Sequence, residues 1–252
     1  MALPGGFNLI ELGSVGSTND EAKSLAATGA PDGTVVRAAS QTAGRGRNGR
    51  TWVSKKGNLY FSLLVRPACT AQIAVQLSFV TSIALAQTLS GNLPVTTAVT
   101  CKWPNDVLVD DKKIAGMLLE SAPLGKGPLD WLVIGIGVNI ASYPCDVMYP
   151  ATSVHAAGAP NIAADELLAA FCRRFAKWRT IWIDDGFVPV RDEWLARAAG
   201  LGGEIGVHLA SGSITGIFDG LDEQGTLIVL REDGERTKIT AGDVFFPTAS
   251  NQ

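Results

Sequence analysis

Histidine, cysteine and charge are all scarce in this 252-residue sequence, and each scarcity removes a class of function. The two histidines, His155 and His208, have no metal-ligand spacing and read as ordinary side chains. The four cysteines, Cys69, Cys101, Cys145 and Cys172, are far apart and form no C-x-x-C pair. That distribution argues against a zinc site or a disulfide framework and for a reducing compartment. Charged residues make up 18% of the chain, and its net charge is -3. A nucleic-acid binder needs a broad basic surface to offset phosphate charge, so no nucleic acid is expected as a partner. No G-x-S-x-G elbow occurs, and a covalent intermediate on the protein is not expected. The amino terminus, Met1 to Gly6, lacks the basic and apolar regions of a signal peptide.

No charged side chain lies between Arg66 and Lys102. A membrane span needs roughly 20 consecutive, mostly apolar residues, but Gln76, Ser78, Thr81, Ser82 and Gln87 interrupt this one. Ile73, Leu77, Val80 and Ala84 form a helical stripe, so Ile73 to Leu89 is predicted as one buried core helix. No membrane association is expected, and the location expected is cytoplasmic.

What is present reads as an α+β protein. Thr18-x-x-Glu21 fits a capping box at a helix start, with Gly29 as the stop. Strands are predicted at Thr34 to Ala39, Asn58 to Val65, Val95 to Trp103, Val107 to Val109 and Ile114 to Glu120, with a turn at Asp110-Asp111. Trp131 to Ile140 fits a buried central strand. Helices are predicted over Ala164 to Ile183 and Val188 to Arg197. After Gly200 the pattern changes to short strands at Ile205 to Leu209, Ser213 to Asp219, Thr226 to Leu230 and Thr237 to Thr240. The predicted division is therefore a catalytic domain over 1–200 and a small β-barrel domain over 201–252.

The densest chemistry is Gly44-Arg45-Gly46-Arg47-Asn48-Gly49-Arg50-Thr51-Trp52. Its literal G-x-G-x-x-G is not a Rossmann turn, because that turn must lead into a helix and here the chain is predicted to run on to a strand with no helix between. Glycine amides and guanidinium forks can wrap a phosphate, and Trp52 can cover a flat ring. A solvated basic turn is the plain alternative. With its glycines and five cations repelling one another, the loop from Gly44 to Lys56 is expected to be mobile until an anion binds. A second constellation joins Lys102-Trp103-Pro104-Asn105-Asp106 to Lys113-x-x-Gly116, where Gly116 lets a ligand lie against the backbone beside Lys113. Read alone, Asp110-Asp111-Lys112-Lys113 is better explained as a charged surface hairpin. Gly135-x-Gly137-x-Asn139 is expected to bring one buried amide to the same cleft.

In this order and spacing the segments resemble the biotin protein ligase family, also called biotin–[acetyl-CoA-carboxylase] ligase, over nearly the whole chain. The resemblance implies a mixed β-sheet catalytic domain flanked by helices and a C-terminal SH3-like barrel. No N-terminal DNA-binding domain is expected, and Met117 stands where isoleucine is common in the family. The implied activity is adenylation of biotin by ATP with Mg²⁺, then transfer to a lysine of a biotin carboxyl carrier protein. Ser17, Thr18 and Asn19 are implied to bind the ureido head, with Gln41 and the backbone of Gly44, Arg45 and Gly46 lining the pocket and Gly116 beneath the valeryl chain. Arg45 and Arg47 belong to the loop closing over biotinyl-5′-adenylate, and Arg47 and Lys113 are implied to stabilise charge in the first step. Trp52 is implied to cover adenine, with Asn105 and Asn139 on the nucleotide side and Asp106 beside the acceptor amine. The Mg²⁺ is implied to be bound mainly by phosphates with few protein ligands, and no residue is assigned to it. A lipoate or octanoyl transferase, a non-catalytic sensor and a homodimeric assembly all stay open.

Overall fold

The computed structural model describes residues 3–122, 125, 127–145, 147 and 149–247. Met1, Ala2 and the last five residues of the predicted C-terminal domain lie outside the described residues. The first sheet has seven strands: β1 (Asn8–Val15), β2 (Thr34–Gln41), β3 (Leu59–Val65), β4 (Val99–Lys102), β5 (Asp106–Val109), β6 (Lys112–Ser121) and β7 (Leu132–Val138). Their order is β1-β2-β3-β7-β6-β5-β4, with β1 parallel to β2 and the other pairs antiparallel, which makes the sheet mixed. β7 is central, as its unbroken apolar run predicts. β1 is an addition to the predicted strands. It lies at the sheet edge and its residues are all exposed or part-exposed, so no buried face writes a two-residue alternation into it.

Helices cover this sheet. α1 (Thr18–Ala27) packs on β2 and β3. The predicted single core helix is a short α2 (Ala71–Ala74) followed by α3 (Leu77–Ser90). The stretch Ala71–Ser90 is long and apolar enough to cross a membrane by length and composition, but 72% of its apolar window is buried inside the protein. Its interrupting polar residues are anchors: Gln76 accepts a hydrogen bond from the Trp182 indole at 2.8 Å, and Ser82 one from Trp194 at 3.0 Å. Those tryptophans sit on α4 (Ala164–Asp185) and α5 (Phe187–Leu195). Of the predicted Val95 to Trp103 strand, only β4 forms.

A second, antiparallel sheet of order β11-β10-β9-β8-β12 follows, built from β8 (Glu204–Leu209), β9 (Gly212–Leu221), β10 (Leu227–Leu230), β11 (Arg236–Ile239) and β12 (Asp243–Phe245). It has the expected SH3-like character. β12, three residues long, is too short to carry a readable pattern. One apolar core runs from the first sheet through Trp194 to Phe218 of the second. All four cysteines are free, and burial pushes the thiols of Cys101 and Cys172 up to about 12.

Candidate active site

A cleft of about 580 Å³ opens over β6 and β7, lined from α1, the glycine–arginine loop, the β5–β6 hairpin and the second sheet. Its two ends differ in chemistry.

At one end, the helix α1 begins without the predicted capping box. Ser17 is the N-cap, and no side-chain bond caps the helix from within. Gln41, at the end of β2, does so instead: its Oε1 accepts from the Thr18 backbone N–H at 2.8 Å and from the Thr18 hydroxyl at 3.1 Å. Thr18 is thereby committed to Gln41 and to Ser62, whose Oγ lies 2.8 Å from its own. Ser17, Thr18 and Asn19 are all buried at this end, with Asn19 lying over Gly135. Two residues further along β7, Gly137 lies under the Trp52 indole. The alternate glycines of β7 share one face, and a Cβ at either would overlap the side chain resting on it.

At the other end, Lys113 and Gly116 both face the cleft. In a regular strand, residues three apart point to opposite faces. A β-bulge resolves this: Val107 pairs with Ala115, but Leu108 pairs with Lys113, leaving Ile114 unmatched. Lys113 Nζ then stands 2.6 Å from Asp106 Oδ1 and 5.4 Å from the centre of the Trp52 ring. The Trp52 indole N–H is buried with no acceptor among the described residues, as a donor waiting for a ligand would be. Asn105 donates to the Met117 carbonyl and accepts from Arg47 at 3.3 Å. Asn139 is buried and donates to the Thr152 carbonyl at 3.0 Å.

Of the predicted site residues, Gly44 alone does not line the cleft. It is packed behind the wall, where a Cβ would lie 2.5 Å from the Trp52 carbonyl. The loop itself departs from expectation in two ways. It contains a single 3₁₀ turn, Arg47–Gly49, with Asn48 at φ 56°, where no helix was predicted. Three of its cations also have carboxylate partners, so mutual repulsion does not hold it open. Arg45 forms paired hydrogen bonds with Asp20 at 2.7 and 2.8 Å. Arg47 and Arg50 both pair with Asp243 of β12.

Several residues at the site carried no sequence signal: Glu120, Asp20, Tyr149, Asp243 and His208, which lines the cleft although it reads as ordinary. Glu120 accepts from Asn19 at 2.7 Å and from Lys23 at 2.7 Å. Burial alone would raise its carboxyl, but these bonds and the charges of Lys23 and Arg45 outweigh it and hold the group below its ordinary value. Lys102 is nearly buried, its ammonium 4.2 Å from the centre of the Tyr149 ring, and desolvation lowers its pKa. Among the described residues, no group of three or more His, Cys, Asp or Glu side chains is placed to hold a metal ion.

Comparison with known proteins gives a consistent result. The family model for the biotin/lipoate A/B protein ligase family matches residues 13–139, and that for the biotin protein ligase C terminal domain matches residues 200–246. The chain is 40% identical to the biotin–[acetyl-CoA-carboxylase] ligase of Paracoccus denitrificans, over 91% of this chain and 97% of that protein. It is 34% identical to the enzyme of the same name from Mycobacterium tuberculosis, over 91% of this chain and 85% of that one. Among solved structures, the biotin protein ligase of Aquifex aeolicus in complex with biotin and ATP superposes with a TM-score of 0.80 at 31% identity, covering 94% of this chain and 97% of that chain.

Proposed function

This chain belongs to the biotin protein ligase family, and from that premise we propose how its cleft divides the work of the reaction. The chain is an ATP-dependent ligase that converts biotin to biotinyl-5′-AMP and transfers the biotin to a carrier lysine. The observation that supports the division is the single cleft itself: a small polar pocket at the start of α1 opens directly onto Lys113, Arg47 and Trp52.

Biotin enters with its ureido head against Ser17, Thr18 and Asn19 and its chain along Gly116, over which the Trp52 ring, Lys113 and Asp106 close in the free protein and from which they shift as the chain enters. Its carboxylate attacks the α-phosphate of ATP, forming the carbon–oxygen–phosphorus anhydride and releasing pyrophosphate. Negative charge builds up at the phosphate, where Lys113 and Arg47 stabilise it. Trp52, Asn105 and Asn139 hold the nucleotide side, while Gln41 and the backbone from Arg45 to Gly46 close the wall; Gly44 serves by its tight packing. Mg²⁺, held mainly by the phosphates of ATP, would screen their charge, and in the free protein the acids at that end, Asp106 and Asp243, pair with cations. In the second step the carrier amine attacks the anhydride carbonyl and AMP leaves. Asp106 is the group placed to accept the amine's proton once Lys113 turns toward phosphate. The carrier is a biotin carboxyl carrier protein or domain, the reaction is cytoplasmic, and the division of labour falls between a catalytic domain over 1–200 and the C-terminal domain after it.

Exchange of labelled pyrophosphate into ATP tests the reading. It is expected with biotin and not with lipoate. Exchange with lipoate alone would move the chain to lipoyl chemistry, and binding of biotin without exchange would make it a sensor.

A further inference from the structure

Both amide hydrogens of Asn19 are taken by the protein. Nδ2 donates to Glu120 Oε2 at 2.7 Å and to the Leu118 carbonyl at 3.4 Å. Oδ1 accepts from the Ser62 hydroxyl at 2.6 Å, which leaves one lone pair for a ligand. An asparagine amide can present either end, and something must choose between them. Ser62 cannot, because a hydroxyl both donates and accepts. An ionised carboxylate only accepts, so Glu120 forces Nδ2 toward itself and Oδ1 toward the pocket. Glu120 is in turn held by a donor-only group, Lys23, at 2.7 Å on its other oxygen. Its low carboxyl pKa keeps it in the accepting form near neutrality.

We infer that Glu120 is a specificity-determining positioning residue: by fixing the Asn19 amide it makes this end of the pocket an obligate hydrogen-bond acceptor, selective for a ligand head group that carries an N–H. This rests on the reading of Asn19 as a head-group contact. A cyclic urea satisfies the requirement, and a dithiolane ring does not. The same carboxylate oxygen lies 3.4 Å from Arg45, so the loop docks on the residue that sets the pocket's polarity.

The substitution Glu120→Gln inverts the arrangement by a defined route. Two donor-only cations flank the side chain: Lys23, the closer at 2.7 Å, takes the Gln oxygen, while Arg45, at 3.4 Å, keeps its paired bonds to Asp20, and the Gln nitrogen then faces Asn19. Asn19 must flip to accept, Ser62 adapts by reversing its hydroxyl, and a donor now faces the ligand. The experiment compares the affinities of biotin and of biotin methylated on a ureido nitrogen, by competition, in the parent and in Glu120→Gln. The parent is expected to prefer biotin by a hundredfold or more. The variant should lose at least tenfold of that preference, with the KM for biotin raised and the KM for ATP within about twofold. The double variant Asn19→Asp with Glu120→Gln restores an acceptor at the pocket against a donating Gln, and should recover the preference; a merely structural loss would not be rescued this way. That double variant also carries the test if Glu120→Gln alone melts below the assay temperature. An unchanged preference in Glu120→Gln, or no recovery in the double variant, overturns the inference. A parent that does not bind biotin overturns instead the reading on which it rests.

Discussion

At the scale of single residues, the site separates groups that touch ligand from groups that aim them. Lys113 is of the first kind. Its ammonium is paired with Asp106 in the free protein, and on the proposed mechanism it turns to a phosphate oxygen in the complex. Lys113→Ala is expected to lower pyrophosphate exchange by on the order of a hundredfold to a thousandfold, or about 3–4 kcal/mol, as loss of one preorganised donor does. Thermal unfolding should stay close to the parent's, because the side chain is part-exposed and its ion pair with Asp106 is of the kind that contributes little. Near-parental exchange would return Lys113 to a surface hairpin role. Glu120 is of the second kind, and its effect on stability has a direction. Its folded pKa lies below the ordinary 4.5, so it stabilises the fold fully above that value and loses the contribution as pH falls through the folded value. The melting temperature of the parent should therefore exceed that of Glu120→Gln by a constant margin from pH 8 to about 5, and the margin should shrink below about pH 4.5. A margin that widened in acid would mean that Glu120 is not held ionised. Motif residues were legible at this scale because glycine and arginine have few other reasons to alternate. Glu120 was not, since a carboxylate near a strand end looks the same in sequence whether it faces water or an amide.

At the scale of elements, the parts with a clear period were legible and those defined by a partner were not. β7 and α4 have long apolar patterns and stand where expected. The K-x-x-G segment was read with Gly116 beside Lys113, without a reason for the two to share a face. Alternation alone separates the two residues, and only the bulge at Ile114 brings them together. The capping box at Thr18 failed for a similar reason, because Gln41 from β2 supplies the cap across 23 residues of sequence. Gln41→Ala should therefore act on a helix to which it does not belong. It removes two bonds to Thr18 and one to Ser54 at 2.9 Å. A loss of about 1–2 kcal/mol is expected, within the range for a lost cap or an unpaired buried donor. Biotin affinity should fall with it, as Thr18 loses its fixed orientation. Denaturant unfolding followed by circular dichroism reads the first effect and isothermal titration the second. A variant as stable as the parent would show that α1 is held by packing alone.

At the scale of the whole molecule, the loop over the cleft is tied to the far end of the chain. Arg47 donates to the Gly242 carbonyl at 3.2 Å and lies 3.7 Å from Asp243, which also pairs with Arg50. Sequence reading counted the loop's cations and expected repulsion, since nothing in a linear chain reveals a counter-ion 193 residues away. The structure makes Asp243 a resident anion for Arg47 and Arg50, and on the proposed mechanism a ligand phosphate competes with it for Arg47. Ion pairs this exposed are individually weak, but two arginines share one largely shielded carboxylate, so about 1–2 kcal/mol of loop closure is a reasonable magnitude. Cleavage of a transiently open loop tracks its open population when reclosing is fast. Asp243→Asn should accordingly raise the rate of tryptic cleavage after Arg47 and Arg50 by roughly five- to thirtyfold, since about 1.4 kcal/mol is a factor of ten. Biotin with ATP and Mg²⁺ should bring the variant back to the protection of the liganded parent, because the adenylate phosphate replaces the missing carboxylate; ATP alone should protect less. Equal cleavage of free parent and free variant would show that the C-terminal sheet does not hold the loop, and that its order comes from Arg45, Asp20 and Glu120 at the opposite end of the cleft.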